Sequence, residues 1–172
     1  MTRILHLNKL LFRFGGADAY MFDLAELQSA AGHDVGFYGM TYPENIDLPD
    51  SDLFAPYLEP DPAPSGLGAK LTTVGSMMWN RRAMAGLTTY LERFQPDVVH
   101  AHNVYHHLSP AIFRVVKAAG LPLVMTAHDY KLVCPSSHLL DKGEVCDECV
   151  GAKFHRAPTN QPTVTNLMAE YI

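Results

Sequence analysis

The sequence predicts an α/β fold in which a doubly wound parallel sheet carries helices on both faces. Two observations lead there. Short β-rich runs alternate with stretches of helical periodicity, and turn-forming glycines and prolines stand at the joins. A chain built this way connects its parallel strands by right-handed crossovers.

Taken in order, Arg3 to Asn8 (RILHLN) is a strand that stops before the pair Gly15-Gly16. Ala17 to Ala31 then sets Met21, Leu24, Ala25 and Leu27 at helical spacing, and Gly32 ends that helix. Val35 to Met40 is the second strand. Residues 41–70 differ in kind. They hold Pro43, Pro49, Pro56, Pro60, Pro62 and Pro64 among acidic residues, so they are expected as an excursion over the surface outside the core. Leu71 to Phe94 reads as a helix, with Val74, Met77, Met78, Leu87, Leu91 and Phe94 on one broad face and the methionines filling core. DVVHAHN, from Asp97 to Asn103, is a buried type of strand. Ser109-Pro110 reads as an N-cap followed by proline at the first helical position, with Ile112, Val115, Val116 and Ala119 as the packing stripe. LPLVMTAHD is the next strand, after which the alternation stops. One domain is expected over 1–156, ending in an irregular cysteine-containing segment at 130–156, with a divergent tail at 157–172.

Composition narrows the function. With 172 residues, 48% of them hydrophobic, the chain can bury one ordinary core. Thirteen Lys and Arg against 18 Asp and Glu give a formal charge of -5, which supplies no basic field for nucleic acid. No apolar run reaches the ~18 residues of a membrane span, and a cytoplasmic chain is expected. Cys134, Cys146 and Cys149 lie too close together to staple the whole fold.

In parallel α/β sheets ligands bind beyond the carboxyl ends of the strands. The residues of interest are therefore Asn8 to Asp18, His102 to His107 and His128 to Cys134. Gly15 and Gly16 precede a helix, where bare backbone can approach a phosphate or a sugar hydroxyl, although such a pair is as readily a tight turn. Neither GxGxxG nor GxxxxGK[ST] is present, which excludes the dinucleotide and ATP P-loop readings. His100 and His102 point to one face of their strand, with His106 and His107 beyond. They resemble part of a zinc hydrolase ligand set, or they are core and surface histidines; Asn103, where such a site would want a carboxylate, speaks against the hydrolase. His128 follows an apolar strand with Asp129 beside it and is the leading single site residue. Cys146 and Cys149 have metal-ligand spacing, and with Cys134 and His155 they would close a structural Cys3His zinc site. In a reducing compartment the three are equally ordinary thiols.

The blocks RILHLN, FGGADAYMFDLAELQSAAGHDV, PDVVHAHNVYHHLSP and GLPLVMTAHDYKLVCP together resemble the N-terminal half of a family-4 glycosyltransferase, over roughly Thr2 to Arg156. The resemblance implies a Rossmann-like domain, one half of a two-domain GT-B architecture, which holds the acceptor while a second domain holds the nucleotide sugar. It implies a retaining transferase of the hexosyl type, acting on a saccharide or lipid-linked acceptor in polysaccharide biosynthesis. Gly15 and Gly16 match the family's glycine loop, Asp18 stands where the family usually carries Glu, and His128 matches the histidine near the reacting sugar. His102, Asn103 and Asp129 are expected as further substrate contacts. No cofactor is required for that chemistry, and peripheral contact with the inner face of the membrane is expected of the full enzyme.

The family's donor domain carries two glutamates eight apart, and no such pair occurs here, so the donor-binding domain is expected to be absent from this chain. A non-catalytic sugar- or nucleotide-binding module is the alternative.

Overall fold

The computed structural model describes residues 1–57, 79–134, 137–141, 143–151 and 153. They fall into two compact units, Met1–Thr126 and Ala127–Ile172, where the sequence suggests a single domain over 1–156.

The first unit is a four-stranded parallel sheet in the order β2-β1-β3-β4. Its strands are β1 (Arg3–Leu7), β2 (Asp34–Tyr38), β3 (Val98–Ala101) and β4 (Leu123–Met125). Helix α1 (Gly16–Ala30) links β1 to β2, α2 (Arg81–Phe94) leads from the far side into β3, and the short α3 (Tyr105–Leu108) and α4 (Ile112–Ala118) precede β4. Strand β1 sits at the centre, in register with both neighbours: His6 pairs Phe37 on one side and His100 on the other.

Alternation along β2 sorts the helices between the two faces. Phe37 packs against Phe22 of α1 at a ring spacing of 5.4 Å, while its neighbour Tyr38 turns the other way to Tyr90 of α2 at 5.7 Å and donates its hydroxyl to Ala83 O at 2.8 Å. Leu5, Leu7, Leu87, Val99 and Ile112 form the centre of the core.

Several sequence expectations need correcting. Leu27, expected on the packing side of α1, is 69% exposed, and Phe22 takes the buried place instead. The long helix does not run unbroken to Phe94. Asn80 is extended and its Oδ1 accepts from the Ala83 amide at 3.0 Å, so it caps a helix that begins at Arg81, whereas Val74, Met77 and Met78 lie outside the described residues. Ser109 is not the N-cap of the next helix. It has a φ of 63°, and its hydroxyl accepts from the Asn80 amide at 3.0 Å, so α4 starts only at Ile112.

The proline-rich excursion is not all surface. Ala55 bridges to Met40, and Phe54 and Ala55 are both buried against the core. The last strand of the sheet is shorter than expected and lies at its edge, with Leu123 and Val124 exposed.

The second unit, taken by itself, has a small antiparallel hairpin of β5 (Leu140–Asp141) and β6 (Glu144–Val145) followed by turns. Phe154 onward, including His155 and the tail, lies outside the described residues.

Candidate functional site

Polar groups gather where β1 and β3 end and α1 begins. Asn8 follows β1 directly and is fully buried, so both ends of its amide need partners. Its Nδ2 donates to Asp18 Oδ1 at 2.7 Å and to Leu10 O at 2.8 Å, and its Oδ1 accepts from the Asn103 amide at 3.1 Å. The other Asp18 oxygen accepts from the Gly15 amide at 3.2 Å, an acidic side chain closing the first turn of its own helix. One continuous chain of hydrogen bonds thus joins Gly15, Asp18, Asn8 and Asn103. Three of these were singled out from sequence, and Asn8 is the buried residue that ties them together.

Asn103 Oδ1 stands apart, since it is buried and has no hydrogen-bond partner among the described residues. Buried carbonyl oxygens are almost always paired, so such an atom needs a reason.

Gly15 has extended backbone with φ of -143°, and neither Gly15 nor Gly16 is left-handed. A tight turn therefore does not explain the glycine pair. A Cβ built on Gly16 would meet nothing within 4 Å.

His102 lies one layer deeper. It is fully buried, and its Nε2 meets His6 Nδ1 at 3.0 Å, while His6 Nε2 meets Gln28 Oε1 of α1 at 2.8 Å. Because the Gln28 oxygen only accepts, His6 carries its proton on Nε2 and takes the His102 proton at Nδ1. Burial pushes the His6 pKa down to about 4; the Gln28 bond opposes the shift and the charge of His100 adds to it. Burial thus favours the uncharged form of His6 in its hydrogen bond with His102.

His6, His100 and His102 bring ligand atoms within 4.8 Å of one another, the one such trio among the described residues. Each ring also has partners within the protein. His6 and His102 are inclined by only 24° and meet through a head-on hydrogen bond, whereas His100 stacks on His102 at 4.3 Å and bonds to Thr126 Oγ1 at 2.7 Å.

In the second unit His128 is half-buried, and Asp129 Oδ1 accepts from the Lys131 amide at 2.8 Å, shaping its own loop. Cys134 is buried, and Cys146 and Cys149 are partly exposed. Burial pushes the Cys149 thiol up, with the charges of Cys134, Cys146 and Glu148 acting in the same direction. His155 lies outside the described residues.

The family model of the glycosyl transferase 4-like domain matches residues 15–160. Among solved structures the chain is similar to MurG of Acinetobacter baumannii, with 12% identity and a TM-score of 0.45, over 75% of this chain and 35% of that one. The chain thus spans about a third of that protein's length. No curated protein matches the sequence.

Proposed function

Because the chain belongs to the glycosyl transferase 4-like domain family, we propose that it is the acceptor-side half of a retaining glycosyltransferase of the hexosyl type. In this reading a sugar passes from a nucleotide-sugar donor to a saccharide or lipid-linked acceptor, and a separate domain holds the donor. The observation that carries it is Asn103 Oδ1, a buried acceptor at the strand ends with no hydrogen-bond donor among the described residues. A sugar hydroxyl supplies the donor that such an oxygen lacks. Gly15 and Gly16 fit the same role, since nothing in their backbone demands glycine and only the absence of a side chain lets a ligand come close.

The chemistry of this half is positioning. Asn8 and Asp18 fix the Asn103 and Gly15 backbone, so the ligand groups are ordered before the substrate arrives. His102 supports the site from beneath, since its buried ring is held by His6. In the second unit His128 is the proposed sugar contact, with Asp129 ordering its loop. A structural zinc on Cys134, Cys146, Cys149 and His155 would brace that unit; the sequence spacing of Cys146 and Cys149 supports it, although the three thiols do not stand at mutual ligand distance in the structure. Among the described residues no helix is long and apolar enough to cross a membrane, so membrane contact in this reading is peripheral.

Calorimetry on the purified chain tests the proposal. Neutral saccharides should bind and free nucleotide sugar should not, and Gly16→Val should abolish saccharide binding with the fold intact, because the added side chain enters open space. Tight binding of nucleotide sugar alone would reverse the assignment of this half. Full saccharide affinity in Gly16→Val would remove the glycine loop from the site.

A further inference from the structure

Helices α2 and α4 lie against each other and leave a trough of about 760 Å³ between them, walled by Met84 and Leu91 on one side and by Val115, Ala118 and Leu121 on the other. Trp79 and Arg114 stand at one end of it. The indole is 43% exposed, and the Arg114 guanidinium lies over its ring at 4.7 Å. That end is firmly placed: the Asn80 amide donates to Ser109 Oγ at 3.0 Å and its Nδ2 to His107 O at 2.9 Å, tying the start of α2 to the segment that leaves β3. Trp79 and Arg114 are therefore held on the strand-end side of the sheet, the side on which Asn8 and Asn103 lie. Charge is unevenly distributed here. The chain carries a net charge of -5, yet α2 and α4 together hold Arg81, Arg82, Arg93, Arg114 and Lys117 against Glu92 as their one acidic residue. Arg93 is engaged by Asp50. Arg81 shares the helical stripe of Met84 and Thr88, Lys117 follows Arg114 by one turn, and all three cations are exposed, whereas Glu92 lies in the last turn of α2, away from Trp79.

We propose that this face meets an anionic lipid bilayer, with Trp79 at the level of the headgroups and the trough walls against the acyl boundary. This deepens the acceptor-side reading by naming the surface of its peripheral membrane contact, and rests on that reading for a membrane-borne acceptor. Three features point to a bilayer. An indole joins an apolar body to a polar N–H, the combination that settles at a membrane interface. Apolar walls rimmed by cations match a partner whose interior is hydrocarbon and whose outer layer is negative. A nucleic acid or an acidic peptide would answer the cations and leave the walls uncovered. Finally, Arg81 and Arg114 gather at the Trp79 end while Glu92 lies at the other, so a negative surface is drawn to the Trp79 end. Docked that way, the protein turns the ends of its strands toward the headgroups of a lipid-linked acceptor.

Trp79 is the one tryptophan of the chain, so its own fluorescence reports the test. The 172-residue chain is sedimented with vesicles of phosphatidylglycerol mixed with phosphatidylcholine and with vesicles of phosphatidylcholine alone. It should bind the mixed vesicles and bind them less at raised salt. On binding, Trp79 emission should shift to the blue and be quenched by brominated acyl chains. Arg81→Glu combined with Arg114→Glu should weaken binding by about tenfold or more, while melting with the wild type because both side chains are exposed. Failure to bind the mixed vesicles, equal binding to phosphatidylcholine alone, or binding with unaltered Trp79 emission would each overturn the proposal. So would a concentration-dependent dimer that shifts Trp79 emission without lipid, which would assign the face to a second copy of the chain. Saccharide binding without vesicle binding would overturn this face and leave the acceptor-side reading standing; vesicle binding through Trp79 without saccharide binding would leave the face standing and overturn that reading.

Discussion

Asn8 Nδ2 donates to Asp18 Oδ1 at 2.7 Å, joining the end of the central strand to the first turn of the helix that follows it. The same asparagine accepts from the Asn103 amide and so also reaches the end of the neighbouring strand. Both side chains are buried, so the bond forms where an unpaired partner would be costly.

From this arrangement Asn8 and Asn103 should behave differently when truncated. Asn8→Ala strands Asp18, the Leu10 carbonyl and the Asn103 amide, and should cost about 1–3 kcal/mol of stability in a urea titration. Asn103→Ala removes an oxygen that has no partner among the described residues, and should leave stability nearly unchanged while weakening saccharide binding. Equal destabilisation by the two would show that Asn103 Oδ1 is structural.

Gly86 lies within α2, where Ala would ordinarily stabilise an exposed helix by up to about 1 kcal/mol. Here a Cβ would stand 2.1 Å from Leu53 O and 2.7 Å from the Tyr38 hydroxyl. Gly86→Ala should therefore lower the melting temperature, because Leu53 would have to move, and with it the adjoining buried Phe54. A neutral or raised melting temperature would mean that the 41–57 segment does not pack on α2.

His6 sets an acid limit on stability. Its folded pKa of about 4 lies below the unfolded 6.5, so the unfolded chain binds more protons between those values. The contribution is complete above about pH 6.5 and is lost as pH falls toward 4, amounting to about 3 kcal/mol at most. Denaturation between pH 7 and 4 should show this decline, and His6→Asn should flatten it. An equal slope in that variant would place the acid sensitivity elsewhere.

Zinc is testable without activity. If the cysteines and His155 form a structural site, the purified chain carries one equivalent of zinc, and chelation or Cys146→Ser lowers protease resistance after Ala127. Such sites bind with ~10 kcal/mol or more, so the effect should be large. Metal-free protein whose resistance zinc does not alter would reject the site.

How much of this could be read from sequence depended on how local the signal was. The strand and helix order followed from alternation and from glycine stops such as Gly32, whose φ of 86° ends α1. Ser109 misled because serine before proline resembles a cap, and only the tertiary bond from Asn80 shows where its hydroxyl goes. Phe54 and Ala55 looked like surface because prolines and acids surround them; their burial depends on Met40 and Gly39, distant in spacing and unmarked by any motif. At the site, Gly15, Gly16 and Asn103 are singled out by their places after strands, and Asp18 by the family resemblance. His6 and Asn8 carry no such signal, because polar residues alternating with leucines in RILHLN ordinarily mark a strand with one solvated face. Their partners, His102, Gln28 and Asp18, come from other elements, and pairing across a sheet cannot be seen in one sequence.

The central claim is that the ends of β1 and β3, with the first turn of α1, bind a saccharide. Amide chemical-shift mapping of the 15N-labelled chain during a disaccharide titration tests it most directly. The account predicts saturable shifts concentrated at Asn8, Phe14, Gly15, Gly16 and Asn103, absent in Gly16→Val. Shifts confined to other surfaces of the first unit, or none at saturating sugar, would contradict it.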